Sequence, residues 1–164
     1  MRRAFILLVC LGLLACLQTP AAIPDSTAAP TSQADSDLEM ESAIRQARDT
    51  LDLFVKKLKT PHPDRTFVAV KARFFPPDDL PQDIWVDEVT YLEGALRGNM
   101  GDDIPSLKLE AGEKITVREK DILDWMIVED GKLIGGYTIR LAVQRMTPEE
   151  RERFLETLDY TIED

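Results

Sequence analysis

The chain has 164 residues, 44% of them hydrophobic and 30% charged, and its 20 basic and 30 acidic groups leave a net charge of −10. That length supports one compact core and not two. One histidine and two cysteines exclude a zinc finger, a histidine-rich metal centre and a disulfide-stapled scaffold, and the acidic balance argues against nucleic acid, whose phosphates call for basic residues.

The amino terminus reads as an export signal. Arg2 and Arg3 precede an unbroken apolar run from Ala4 to Leu17, too short to cross a bilayer and the right size for the apolar region of a secretory leader. The run contains Leu13-Leu14-Ala15-Cys16, which resembles a bacterial lipobox. The expectation is a signal peptide over residues 1–15, with lipid attached to Cys16 as the first mature residue. An ordinary signal peptide cut near Ala21 is the competing reading. With Cys10 removed and Cys16 acylated, no free thiol would remain, which sets aside thiol catalysis and disulfides together.

Residues 16–37 are rich in Ala, Pro, Ser and Thr and read as a solvated tether. Residues 38–164 form the expected single domain. Ser36-Asp37-Leu38-Glu39 has the form of a capping box. Ile44, Ala47, Leu51, Phe54, Val55 and Leu58 then recur at helical spacing until Pro61 and Pro63 end the pattern. The alternation Val68, Val70, Ala72, Phe74 predicts a half-buried strand. Two further strands are expected over 84–89 and 92–97, then a loop with one helical turn near Pro105, and a short strand over 114–117. Asp130-Gly131 marks a tight hairpin whose opposed residues have numbers summing to 261, so Trp125 faces Gly136 and Asp124 faces Tyr137. Thr147-Pro148-Glu149-Glu150 is a second capping box opening a short final helix. The fold class is therefore α+β, with an N-terminal amphipathic helix and a short C-terminal helix packed on an antiparallel sheet of about five strands.

The segment Ile122-Leu123-Asp124-Trp125-Met126, the hairpin, and Gly135-Gly136-Tyr137-Thr138-Ile139-Arg140 resemble the YegJ-like bacterial family of unknown function. Phe67-Val68-Ala69-Val70-Lys71, Ile84-Trp85-Val86 and Gly94-Ala95-Leu96 fall in the same order as in that family. The resemblance implies a fold and brings no catalytic residues with it.

Asp121, Asp124, Tyr137 and Arg140 converge if the hairpin extends far enough. They make either a small anion-binding pocket or an internal polar set that fixes the hairpin, and the second reading is favoured because buried polar groups must be paired. Trp85, Trp125, Ile127 and Ile134 are the candidate binding surface. The acidic pairs Asp78-Asp79 and Asp102-Asp103 lack the alternating oxygen spacing of a calcium loop. His62 has no partner close in sequence, and no serine nucleophile elbow, phosphate loop, dinucleotide fingerprint or zinc-protease helix is present; no cofactor or metal is expected. The expected function is a non-enzymatic binding module at the cell envelope, held to the membrane through Cys16 and facing an envelope protein or wall partner. The alternative is a small carboxylate-dependent hydrolase built around Asp124 and Arg140, with Asp121 or Glu119 as further acids.

Overall fold

A computed structural model describes residues 33–77 and 79–163; the leader, Cys16 and most of the tether lie outside the described residues. The first helix, α1 (Gln33–Asp49), is followed by α2 (Leu51–Lys59). Six strands follow: β1 (Arg65–Phe74), β2 (Gln82–Leu92), β3 (Ala95–Met100), β4 (Lys114–Val117), β5 (Ile122–Glu129) and β6 (Lys132–Gly135). Helices α3 (Tyr137–Arg145) and α4 (Pro148–Glu156) complete the chain. All the strands form one antiparallel sheet in the order β4-β3-β2-β1-β5-β6.

The class is α+β as expected, with six strands rather than about five. The turn between β2 and β3 moves the boundary between those two strands. Glu93 and Gly94 take φ of 52° and 84°, the left-handed pair a two-residue hairpin needs, so β2 runs on to Leu92 instead of ending at Val89. The turn near Pro105 is present as a short 3-10 segment over Pro105–Leu107.

Ser36 does not cap the first helix. It lies inside α1, and its carbonyl accepts from Arg145 at 2.7 Å. The helix opens at Gln33, within the stretch read as tether, and breaks once at Thr50. A specific contact explains the break: the Trp125 indole N–H donates to the Ala47 carbonyl at 3.0 Å, and the Thr50 hydroxyl bonds back to Gln46 at 2.8 Å. A side chain inserted into the helical ladder is one of the few causes of a sharp bend.

Alternation along the strands decides the two faces. Val70, Ala72, Val86, Leu96, Ile122, Trp125 and Ile127 point to the side covered by α1 and α2, where they meet Ala47 and Phe54. Trp125 is 0% exposed, stacked on Phe54 with ring centroids 5.1 Å apart and edge-on to Tyr137 at 6.1 Å. The opposite face holds a smaller cluster, Ala69, Met126, Val128 and Leu133, closed by Ile139, Tyr160 and Ile162. The final capping box forms as read, with Thr147 and Glu150 bonded reciprocally. The helix ends at Glu156, so Leu158 and Ile162 belong to the tail beyond it. That tail runs alongside β6, where Leu133 donates to Thr161 at 2.9 Å and Thr161 to Gly131 at 2.8 Å, and so covers part of an otherwise open sheet edge.

Candidate functional site

The hairpin register is the one the sequence implies: Ile127 pairs with Ile134, Val128 with Leu133 and Glu129 with Lys132. It stops at Gly135. Gly135 and Gly136 take φ of 73° and 65°, which turn the chain off the sheet and into α3. A Cβ on Gly135 would sit 2.4 Å from the Trp125 carbonyl oxygen and 2.6 Å from its ring, so the close approach of the two strands requires glycine. Tyr137 to Arg145 is therefore helical, and the extended ladder that would set Asp121 against Arg140 does not exist.

Asp124 sits on β5, 0% exposed, with both carboxylate oxygens occupied. Oδ1 accepts from the amides of Trp125 at 2.8 Å and Tyr137 at 3.1 Å. Oδ2 accepts from the Thr138 amide and hydroxyl, each at 2.7 Å. Gly136 occupies the N-cap position of α3 and has no side chain to cap with, so a strand carboxylate supplies the acceptor that a capping residue usually provides. Burial pushes the Asp124 carboxyl above its ordinary range, and the hydrogen bonds from Thr138, Trp125 and Tyr137 oppose that shift.

The other members of the expected cluster are elsewhere. The Tyr137 hydroxyl lies 2.9 Å from Thr50 Oγ1. Asp121 pairs with Arg118, three residues away. The Arg140 guanidinium donates to the carbonyls of Gly135 at 2.9 Å and Leu133 at 2.8 Å, and to that of Glu163. It closes the outer edge of β6 with bonds that a further strand would otherwise make. Of the four residues, only Asp124 and Tyr137 are brought together, and that contact is through the Tyr137 backbone. Trp125 and Ile127 are both 0% exposed, and Ile134 packs on the same core. These three are core residues and not a surface. Trp85 alone among the candidate surface residues lies on the outer face of the sheet.

A second buried polar group has no counterpart in the sequence reading. Glu129, 5% exposed, accepts from Lys57 at 2.6 Å and from Arg65 at 2.6 and 2.9 Å. Burial raises its carboxyl, but the hydrogen bonds and charges of Lys57 and Arg65 outweigh that and hold it below the ordinary range. The signal was the pairing of Arg65 with Glu129 across β1 and β5, which no local spacing contains.

The outer face of β1 to β4 is where side chains remain available. Lys71 lies opposite Trp85, Arg73 opposite Asp83, and Asp87 opposite Asn99. Arg73 and Asp83 form a bidentate pair at 2.7 and 2.8 Å, and that contact lowers the Asp83 carboxyl. A bulge interrupts β2 after Asp87, and Glu88 takes φ of 52° there while accepting from Asn99. Burial, then the charges of Asp102 and Glu88, raise the Asp87 carboxyl. Beyond the bulge Thr90, Arg97 and Thr116 are exposed, beside a hollow of about 540 Å³ also lined by Asn99 and Lys114. The paired loop acids serve turns: Asp79 accepts from the Leu80 amide at 2.7 Å and Asp103 from the Ala111 amide at 2.8 Å. Asp78 lies outside the described residues.

Comparison with known proteins agrees with the resemblance. Residues 37–160 match the bacterial family described as "Uncharacterized protein conserved in bacteria (DUF2314)". The chain is 36% identical over 104 residues to the uncharacterized protein YegJ of Escherichia coli (strain K12), an overlap of 61% of this chain and 64% of YegJ. It is 34% identical over 92 residues to a putative ankyrin repeat protein of Neisseria meningitidis serogroup B, covering 52% of this chain and 35% of that protein. The chain thus spans less than two thirds of either relative. No solved structure matches it. The matched segment runs from the second turn of α1 past the end of α4, and the chain belongs to the DUF2314 family of uncharacterized bacterial proteins.

Proposed function

We propose that this protein is an exported envelope lipoprotein, attached to the membrane through Cys16, whose domain is a non-enzymatic binding module. Its recognition surface is the outer face of β1 to β4 around Trp85. The observation that carries this reading is the part of the sheet's second face left open beside the cluster that Ile139, Tyr160 and Ile162 close. Helices α1 and α2 bury one face, whereas the other presents half-buried Trp85 among Lys71, Arg73, Asp83, Asp87 and Asn99. An aromatic side chain ringed by polar groups of both signs is the composition of an interface centre with a polar rim. The partner is an envelope protein or a wall component with matching mixed polarity.

The hydrolase alternative loses its support, because Asp124 is wholly enclosed by four donors and Arg140 is spent on backbone carbonyls. Support for the anchor is the short apolar leader ending at Ala15-Cys16.

Two measurements test the proposal. Intact mass of the mature amino terminus should show an acylated Cys16, and an unmodified terminus beyond Cys16 overturns the anchor. Envelope extract passed over the immobilised chain should yield a partner whose retention falls in Trp85→Ala. Equal retention by that variant overturns the assignment of the surface.

A further inference from the structure

The sole histidine of the chain stands at the opposite end of the sheet from Trp85, where the segment leading into β1 meets the β5–β6 turn. We propose that His62, Asp64 and Asp130 form a binding site for one divalent transition cation of the zinc type. One ligand atom from each of the three residues lies within 4.8 Å of the others, with His62 half-buried and both aspartates exposed. Metal bonds of roughly 2.0–2.2 Å place neighbouring ligand atoms about 3.5 Å apart. Closing from the observed spacing therefore needs side-chain rotation at the two exposed carboxylates and no movement of the backbone.

The backbone is already arranged for it. Asp130 donates its amide to the Asp64 carbonyl at 3.1 Å, and Arg65 donates to that of His62 at 3.4 Å. Asp130 and Gly131 take φ of 52° and 69°, which fixes the turn that presents the Asp130 carboxylate. His62 is set between Pro61 and Pro63, two residues that restrict its main chain.

The imidazole itself supplies an independent observation. His62 Nδ1 is a buried atom with no hydrogen-bond partner, and Nε2 stands 3.8 Å from Asp130 Oδ2, beyond hydrogen-bond reach. A half-buried ring whose Nδ1 has no hydrogen-bond partner and whose Nε2 makes only this long approach to a carboxylate is unusual, since buried polar atoms are normally satisfied. Three neighbouring cations are engaged elsewhere: Lys57 and Arg65 hold Glu129, and Lys132 holds Glu163. Two carboxylates and one neutral imidazole balance a doubly charged ion. The mixed nitrogen and oxygen donors suit zinc and its neighbours better than calcium or magnesium, which take oxygen alone. Three protein ligands leave at least one coordination position for water or for a donor from a partner.

A single imidazole makes the test unambiguous. The untagged, isotope-labelled full chain is titrated with zinc chloride while the His62 ring resonances are followed by NMR. The expected result is a shift or broadening of those resonances that saturates at one ion per chain. Asp64→Asn and Asp130→Asn should each weaken binding by about tenfold or more, with melting temperatures unchanged because both side chains are exposed. Absence of any effect on the ring, or an affinity unaltered in either variant, overturns the site.

Discussion

Replacing Asp124 by alanine tests whether a strand side chain can serve as the cap of a helix that follows two glycines. The substitution removes acceptors for the Trp125, Tyr137 and Thr138 amides and for the Thr138 hydroxyl, at 2.7 to 3.1 Å. Loss of a cap costs about 1 kcal/mol. Stranding the two helix amides in a site with no exposure adds about 1–3 kcal/mol each. The expected total is about 3–7 kcal/mol, which lowers the melting temperature by roughly 10–25 °C for a domain of this size. Urea unfolding followed through the fluorescence of buried Trp125 measures the free energy. Amide hydrogen exchange at Tyr137 and Thr138 then locates the loss at the start of α3. Asp124→Asn keeps one carbonyl oxygen as an acceptor and should lose about half as much. A stability for Asp124→Ala within about 1 kcal/mol of the parent, or unaltered exchange at both amides, would refute the capping argument.

Glu129→Gln removes the charge that Lys57 and Arg65 share and should cost about 3 kcal/mol at neutral pH. Because the Glu129 carboxyl is lowered from its ordinary 4.5, its contribution is complete above that value and is lost as pH falls through the lower folded value; the variant's stability should be flatter across that acid window when urea midpoints are compared. Gly135→Ala meets both positive φ and the Trp125 backbone at 2.4 Å, whereas Gly131→Ala has positive φ and open space. Thermal melts should show the first largely unfolded and the second down by about 1–2 kcal/mol, and equal losses would contradict the close-approach argument. Arg145→Ala breaks exposed contacts with Glu39 at 2.8 Å and the Ser36 carbonyl at 2.7 Å and should lower the unfolding free energy in urea by less than about 1 kcal/mol.

The elements that sequence reads well are those whose cause is local. The apolar stripe from Ile44 to Leu58, the alternation from Val68 to Phe74, the Asp130-Gly131 turn and the Thr147 capping box each carry their reason within a few residues. The elements it reads poorly depend on distant partners. The break at Thr50 follows from an indole on β5 that lies 78 residues away from Ala47 in the chain. The helix α3 has no capping side chain of its own, and its cap stands 14 residues before Thr138 on another element. The Glu93-Gly94 turn was local yet easily passed over, because Glu93 adopts a left-handed conformation that glutamate seldom takes.

The same distinction governs the polar residues. Opposed numbers summing to 261 correctly bring Asp124 beside Tyr137, yet the two glycines rotate the following residues onto a helix, and Arg140 goes to the edge of β6 instead of into a pocket. Asp124 and Arg140 are conspicuous in sequence because they interrupt apolar segments, and that position is what makes each of them bind the fold's own unsatisfied groups. A side chain used in this way is not available for a ligand. The groups that remain available, Trp85 and its polar neighbours on the outer face and the uncommitted imidazole of His62, sit where no helix covers the sheet or where two chain segments meet. A search for recognition in this family therefore belongs on the surfaces the core does not consume, and the most prominent buried charges are the poorest places to begin it.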